Sequence, residues 1–357
     1  MQSIFTIPTH ILTTPSPICM YILRSAMKIP RLLRRLLSLY ILITTYILSL
    51  NLPSFPFFLL IDVIATVYFK LCNLSSTTVD LDHSTTMHFW ISAHRRFNKP
   101  NLLLIHGYGG NSKWQFLRQI RRLSQHFNLY VPDLLFFGES VTTNKDRTVE
   151  FQAECVSEGM RRLGVERCSV YAISYGGYVG FRMAEIRGEM VEKVVIMSSG
   201  IGATAEQMKE QVKKIGRNAV DLLLPQKPQD LRLLMDLAIY TFDPFKWLPN
   251  CMLNDFIRMT CNDHRREKQE LVEELMASKN DSKPLPILTQ DTLLIWGDKD
   301  KVFPLSLAYQ LQRHLGPKSR LEIVKDAGHA ANIDAPNSLT DLIIPFVLGT
   351  TTQSLHP

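Results

Sequence analysis

Hydrophobic and polar positions follow two rhythms along this chain. In TVDLDHSTTMHFWIS, β-branched and aromatic residues flank a polar turn at Asp82 to Thr85, which predicts two strands. Short apolar runs then alternate with segments of helical period. NLLLIH (Asn101 to His106) predicts a strand, WQFLRQIRRLSQHF a helix, NLYVPDL a strand, VEFQAECVSEGMRRL a helix, CSVYAIS a strand, YVGFRMAEIRG a helix and EKVVIMSS a strand. Strands that alternate with helices need crossover connections, which are right-handed and give a mostly parallel sheet covered by helices on both faces. Between Ile201 and Leu288 the rhythm changes. EQMKEQVKKI, DLRLLMDLAIY, NDFIRMT and EKQELVEELMAS are all helical in period, with no strand-like run between them. Alternation resumes at TLLIWG, LSLAYQLQRHL and LEIVKDAG, and SLTDLIIPFVLG predicts a last helix. The expected architecture is α/β, with an eight-stranded sheet built from 76–200 and 290–349, a helical cap at 201–289 and a short tail at 350–357.

The extension ahead of this body, over 1–75, is patterned differently. Leu36 to Ile61 (LLSLYILITTYILSLNLPSFPFFLLI) contains no charged residue and follows the basic cluster KIPRLLRR. About 20 apolar residues span a bilayer as a helix, and Leu32 to Leu50 approaches that length if Arg34 and Arg35 extend to the interface. Asn51, Pro53 and Pro56 would end it, so a membrane segment is expected at about 32–61. Basic residues ahead of the apolar run would hold the amino terminus in the cytosol and send the body across, whereas a hairpin or interfacial helix would leave the body cytosolic. A signal sequence, an acid-poor transit peptide and an arm packed on the body are the competing readings. The apolar run is too long for an ordinary signal core. Membrane association is therefore expected, the endoplasmic reticulum being one such membrane, with organelle targeting or the cytosol as alternatives. Residues 1–26 show no pattern.

Composition narrows the function classes. With 357 residues, 46% hydrophobic and 20% charged, the chain is a folded protein and not a disordered one. Its formal net charge of +7 first suggests an acidic partner. Five basic residues and no acidic one lie in residues 1–61, which leaves 35 basic against 33 acidic residues in the remainder. That near-neutral body shows neither a basic face nor a stacking motif, so nucleic acid is set aside. The six cysteines form no C-x-x-C pair and no zinc-like spacing with histidine, so no metal is expected. No phosphate-binding loop is present, and no cofactor is expected.

Candidate chemistry sits at the ends of the expected strands. AISYGG (Ala172 to Gly177) lies at a strand-to-helix junction and looks like a nucleophile elbow, a strained turn whose neighbours must be small. Ser174 is then the nucleophile, with Ala172 where glycine is usual. Taken alone, the string could equally be an ordinary serine before a glycine-containing helix. HGYGG (His106 to Gly110) follows the strand NLLLIH, where a loop can supply one main-chain amide to an oxyanion hole. The donors would be the backbone N–H groups of Tyr108 and Tyr175. Serine needs an imidazole to take its proton and an acid to orient that imidazole. His329, in KDAGHAANIDAP past the strand LEIVK, is the base. In WGDKDKVFP the acid is Asp300, three residues past Gly297 and four before Pro304, with Asp298 as the alternative that more simply shapes the turn. The order Ser, Asp, His is the one expected of this strand–helix architecture.

From about Thr78 to Leu348 the chain resembles an α/β-hydrolase, and VPDLLFFGES (Asp133, Gly138, Ser140) resembles the structural loop after that family's fourth strand. Through PDLLFFGES, SYGG, IWGDKD and GHAAN it is similar to plant α/β-hydrolases of the monoacylglycerol-lipase-type serine esterase kind. The resemblance implies carboxylic-ester cleavage through an acyl-enzyme, on a small-molecule or lipidic ester. Leu234, Met235, Phe242, Phe245, Met252 and Phe256 would make the cap apolar enough for such a substrate. Epoxide hydrolases and haloalkane dehalogenases share the fold but use a carboxylate where this chain has Ser174. The alternatives are cleavage of activated carbon–carbon bonds, peracid formation by the same triad, and a hormone-receptor-like domain that binds more than it turns over.

Overall fold

In the computed structural model, which describes residues 57–278 and 284–350, the alternating segments form one sheet. Its strands are β1 (Leu74–Asp80), β2 (Thr85–Ser92), β3 (Asn101–Ile105), β4 (Asn128–Pro132), β5 (Val141–Thr142), β6 (Cys168–Ile173), β7 (Val191–Met197), β8 (Asp291–Gly297) and β9 (Ser319–Val324). They are arranged β1-β2-β4-β3-β6-β7-β8-β9, with β5 paired to β2 off that path. The sheet thus has nine strands and not eight. The extra one is a two-residue edge pairing, Thr85 with Thr142 and Thr86 with Val141, too short to leave a hydrophobic pattern. Pairings from β4 through β9 are parallel, and β1/β2 and β2/β4 are antiparallel.

Parallel strands covered on both faces should be apolar throughout, and β6 is buried at every position. Successive side chains go to opposite faces. Leu103, Ile105, Val170, Ala172, Val194 and Ile196 enter one core, while Leu102, Leu104, Tyr171, Ile173, Val195 and Met197 enter the other. Between β4 and β8 lie α4 (Val149–Arg162) and α5 (Tyr175–Ile186), and after β7 come α6 (Ala205–Ile215), α7 (Ala219–Leu223), α8 (Pro228–Ala238), α9 (Asn250–Thr260) and α10 (Arg265–Ser278). The five last-named helices, with a 3-10 turn at Pro244–Lys246, are all that β7 and β8 enclose among the described residues.

Two elements depart from the expected pattern. The helix foreseen over WQFLRQIRRLSQHF is broken into α2 (Ser112–Phe116) and α3 (Ile120–His126). Asn332 Nδ2 donates to the Gln115 carbonyl at 2.8 Å, and the Gln119 N–H turns instead to the Phe116 carbonyl at 2.9 Å. The second departure is α1 (Phe57–Leu71), a helix where an extension was expected up to residue 75. It belongs to the compact unit that starts at Phe58, so the body begins earlier than residue 76. Phe58, Ala65 and Phe69 on one face are buried, and Asp62 on that face accepts from Lys113 Nζ (2.7 Å) and Trp114 Nε1 (2.9 Å). Asp62, the single acid of α1, is thus one of the groups that tie the helix down. Consequently Phe57 to Ile61, the end of the expected membrane segment, form the first turn of α1; the rest of that segment, the amino-terminal residues before it and the tail from 351 lie outside the described residues. Among the described residues, no helix is long and apolar enough to cross a membrane. The chain closes with α11 (Leu305–Leu315), α12 (Ala331–Asp334) and α13 (Pro336–Leu348).

Candidate active site

Ser174 occupies the single residue between β6 and α5, with φ 51° and ψ −112°. A non-glycine residue held there costs about 1–3 kcal/mol, and it persists only where surrounding bonds leave no alternative. They do so here: Ser174 N–H donates to the Met197 carbonyl at 2.9 Å, and its own carbonyl accepts from Gly177 N–H (2.9 Å) and Ser199 Oγ (2.8 Å). Gly176 is fixed by close approach. A Cβ at that position would lie 2.3 Å from the His106 carbonyl oxygen and 2.6 Å from that of Ile105. Only glycine lets α5 start this near the end of β3.

His329, on the loop between β9 and α12, reaches back over the sheet. Its Nε2 lies 2.9 Å from Ser174 Oγ and its Nδ1 3.0 Å from Asp300 Oδ2. Asp300 is on the loop after β8. Its side chain is fully buried, and its other oxygen accepts from the N–H groups of Val302 and Phe303, both at 2.8 Å. With a carboxylate at Nδ1, the proton of a neutral ring belongs on Nδ1, and Nε2 presents its lone pair to the hydroxyl. The Phe303 ring packs edge-on against the imidazole at 5.4 Å. The three predicted side chains thus converge, in the order hydroxyl, imidazole, carboxylate. Asp298 does not join them; it faces Lys299 Nζ at 2.9 Å and the Ala327 N–H at 3.4 Å, within the turn.

The two tyrosines flank the serine from different elements. Tyr175 is the first residue of α5, where helical geometry leaves the amide without an intrahelical acceptor. Tyr108 belongs to the loop after β3, and a Cβ on the preceding Gly107 would sit 3.1 Å from Ser174 Cβ. The Gly107 amide is already bonded to Gln115 Oε1 at 2.7 Å, which leaves the Tyr108 amide as the next donor along that loop. The Tyr108 side chain points to the cap, donating to the Lys268 carbonyl at 2.8 Å.

Several further residues shape this site without having been given a role by the sequence. Gln115 Nε2 donates to the carbonyls of Gly107 (3.0 Å) and Gly109 (2.7 Å), so one side chain pins the loop at three points. His106 is buried. Its Nε2 accepts from Leu134 N–H at 2.9 Å, so Nδ1 carries the proton and donates to the Gly107 carbonyl at 2.7 Å. Burial pushes its pKa below the usual 6.5, and the ring stays neutral. Asp334 accepts from Gly328 N–H (2.8 Å), Tyr240 N–H (3.0 Å) and Thr241 N–H (2.9 Å), joining the His329 loop to the cap segment after α8. Gln115 could have been suspected only from its place one helical turn past HGYGG; Asp334 carried no signal.

A second Ser–His–Asp array lies within the fold. His88 Nδ1 is 2.9 Å from Asp133 Oδ2 and its Nε2 2.9 Å from Ser76 Oγ. Asp133, buried in the loop after β4, also accepts from Ser112 N–H at 3.0 Å and Glu139 N–H at 3.3 Å. Burial raises its pKa, but bonds to His88 and Ser112 outweigh that and hold it below the usual carboxylate value. Among the described residues, no group of His, Cys, Asp and Glu side chains is arranged to hold a metal ion.

Residues 100–227 and 262–336 match the family described as the alpha/beta hydrolase fold. A 2-hydroxy-6-oxononadienedioate/2-hydroxy-6-oxononatrienedioate hydrolase of Pseudomonas sp. is 27% identical over 260 residues, covering 69% of this chain and 87% of the relative. Lipase 1 of Psychrobacter immobilis is 25% identical over 249 residues, 67% of this chain and 74% of the relative. The structure of a 2-hydroxy-6-oxo-6-phenylhexa-2,4-dienoate hydrolase from Rhodococcus sp. strain RHA1 superposes with a TM-score of 0.64 at 20% identity, over 76% of this chain and 97% of that one; at that identity the likeness is one of fold. These relatives are bacterial, and none is a plant monoacylglycerol-lipase-type esterase.

Proposed function

The chain belongs to the alpha/beta hydrolase fold family, and from that premise we propose that it is a serine hydrolase that cleaves carboxylic esters through an acyl-enzyme. One observation carries this reading: Ser174 Oγ, on a strained turn at a helix start, lies 2.9 Å from His329 Nε2, with Asp300 behind the imidazole. As Ser174 Oγ attacks the ester carbonyl, His329 Nε2 takes the hydroxyl proton and Asp300 stabilises the imidazolium that forms. The carbonyl oxygen gains charge and is met by the amides of Tyr108 and Tyr175; one such donor lowers the barrier by about 2.7–4 kcal/mol. His329 then protonates the leaving alcohol, and a water activated by the same nitrogen releases the acid. None of these steps requires a metal or a cofactor.

The substrate proposed is a lipidic ester such as a monoacylglycerol. Supporting it are the lipase relative, the apolar cap residues, the likeness of PDLLFFGES, SYGG, IWGDKD and GHAAN to plant monoacylglycerol-lipase-type esterases, and the apolar run from Leu36. That run also supports attachment to a membrane, the endoplasmic reticulum being the compartment proposed. Part of the cap's apolar set serves structure: Phe245 and Phe256 pack on Phe58 of α1, at ring separations of 6.1 and 4.9 Å. The Pseudomonas relative favours a second reading, hydrolysis of a carbon–carbon bond beside an activated ketone. Labelling with a fluorophosphonate probe, competed by acylglycerols, p-nitrophenyl esters and a vinylogous 1,5-diketone acid, tests both. Loss of labelling with acylglycerols is expected. Protection by the diketone acid alone would select the second reading, and no labelling of folded protein would reject a serine hydrolase in favour of a binding role.

A further inference from the structure

The face of α1 turned away from the body is apolar except for the exposed Lys70 in its last turn. Leu59, Val63, Val67 and Leu71 recur every four residues and are 53%, 49%, 45% and 67% exposed, while the opposite face holds Phe58, Asp62, Ala65, Thr66 and Phe69 against the body. Among the described residues no protein packs on that outer stripe, and an exposed apolar helix face suits an interface between water and hydrocarbon. At its carboxyl end, Leu71 and Cys72 open onto a cavity of about 370 Å³ whose wall includes His94, Arg96, Lys99 and Arg121 and no acidic side chain. Lys99 also donates to the Ser124 carbonyl, and its pKa is lowered by burial and by Arg96 beside it. At its amino end, α1 packs on the cap through Phe58, whose N–H donates to Asp255 Oδ2 of α9 at 2.9 Å. Trp247, two residues past Phe245, is 65% exposed. The helix, about 22 Å long, thus joins the cap to a basic cavity at the amino ends of the parallel strands.

We propose that α1 lies flat on a bilayer, its Leu59–Val63–Val67–Leu71 stripe among the acyl chains and an anionic lipid headgroup seated in the cavity of His94, Arg96, Lys99 and Arg121. The chain leading into α1 argues for this occupant: residues 36–56 hold no charged side chain and follow Lys28, Arg31, Arg34 and Arg35, so the helix begins where an apolar, basic-flanked segment ends. Basic residues attract an anionic leaflet, each by roughly a fivefold change in binding. In this orientation the cap, through Phe58, Phe245 and Phe256, rests beside the surface that would deliver an acyl ester. The inference rests on the membrane attachment proposed above and is independent of the ester chemistry.

The test uses the full chain with Cys19 and Cys251 replaced by Ser, carrying an environment-sensitive fluorophore at Val67→Cys or, as control, at Lys325→Cys beyond the opposite edge of the sheet. Each is reconstituted into vesicles of phosphatidylcholine alone and of phosphatidylcholine with phosphatidylserine. The expected result is a blue-shifted, quencher-protected probe at position 67 and an unchanged one at 325. Protection should rise with phosphatidylserine, and Arg96→Ala and Lys99→Ala should each weaken that rise by roughly fivefold. Protein recovered with vesicles whose position-67 probe stays as accessible as the control would overturn the docking while leaving membrane attachment standing. Protein not recovered with vesicles would overturn both. Protection without vesicles that grows with protein concentration would assign the stripe to a second copy. A lipid effect indifferent to Arg96 and Lys99, or abolished by low millimolar inorganic phosphate, would overturn the headgroup site.

Discussion

Ser174–His329–Asp300 and Ser76–His88–Asp133 place the same three residue types at nearly equal distances, yet only the first is proposed for chemistry. The difference lies in the backbone. Ser76 sits within the regular extended strand β1, opposite Trp90, at the edge of the sheet. Ser174 sits at positive φ where a strand becomes a helix, beside a glycine-rich loop pinned by Gln115. In the first array Asp300 spends its second oxygen on its own turn and so fixes the imidazole; in the second, Asp133 gathers amides from two elements and so fixes a fold. A hydroxyl near an imidazole is common to both, whereas a serine at a strand-to-helix turn, flanked by the Tyr108 and Tyr175 segments, belongs to one. Side-chain distances alone do not identify a nucleophile.

Changing the two serines gives the widest expected separation. Ser174→Ala should lower ester turnover by on the order of 10⁴-fold or more and abolish fluorophosphonate labelling, whereas Ser76→Ala should leave both within about twofold. Labelling that survives in Ser174→Ala and vanishes in Ser76→Ala would exchange the two assignments. The two acids should then fail differently. Asp300→Asn is expected to reduce kcat by roughly 10³–10⁴-fold with little loss of stability, because the amide inverts the tautomer that His329 requires. Asp133→Asn is expected instead to lower unfolding free energy by about 3 kcal/mol, since a buried partner is removed, while folded protein keeps its kcat. Denaturant titration alongside kinetics separates these outcomes.

Next comes the backbone itself. Gly176→Ala should push α5 away from β3, and a misplacement of about 1 Å costs on the order of 100-fold in kcat; a near-normal rate would mean that the approach of 2.3 Å is relieved elsewhere. The smallest effect concerns His106, which lies between the arrays, bonded to Leu134 beside Asp133 and to Gly107 beside Ser174. Because burial lowers its pKa, the unfolded chain binds a proton near pH 6.5 that the folded protein refuses. Its contribution is therefore fully present above pH 6.5 and is lost as pH falls below it, with a slope of at most about 1.4 kcal/mol per pH unit. In His106→Gln that part of the slope should disappear, as thermal unfolding across pH 5 to 8 would show.

How much of this was legible in the sequence follows the same division. The strand–helix alternation and the residues Ser174, Asp300 and His329 could be read because they sit at strand ends, where an apolar run stops at a fixed offset from the reactive side chain. The distance from Ser76 to His88 to Asp133 was hidden, since it depends on the register of β1 on β2 and on the loop after β4 folding back. Helix α1 was missed for a different reason: its inner face mixes Phe with Asp62 and Thr66, which find partners only in Lys113 and Trp114 some fifty positions on. The short strand β5 and the break between α2 and α3 likewise depend on neighbours distant in sequence, here Thr85, Thr86 and Asn332.

The carboxylate of Asp334 has a mechanical consequence. It clasps Gly328, next to His329, and the amides of Tyr240 and Thr241 at once, while the Ala330 amide grips the Ala238 carbonyl at 2.7 Å. Any displacement of residues 238–241 would therefore pull on the loop that carries His329, so that the cap segment and the imidazole are held by one set of bonds.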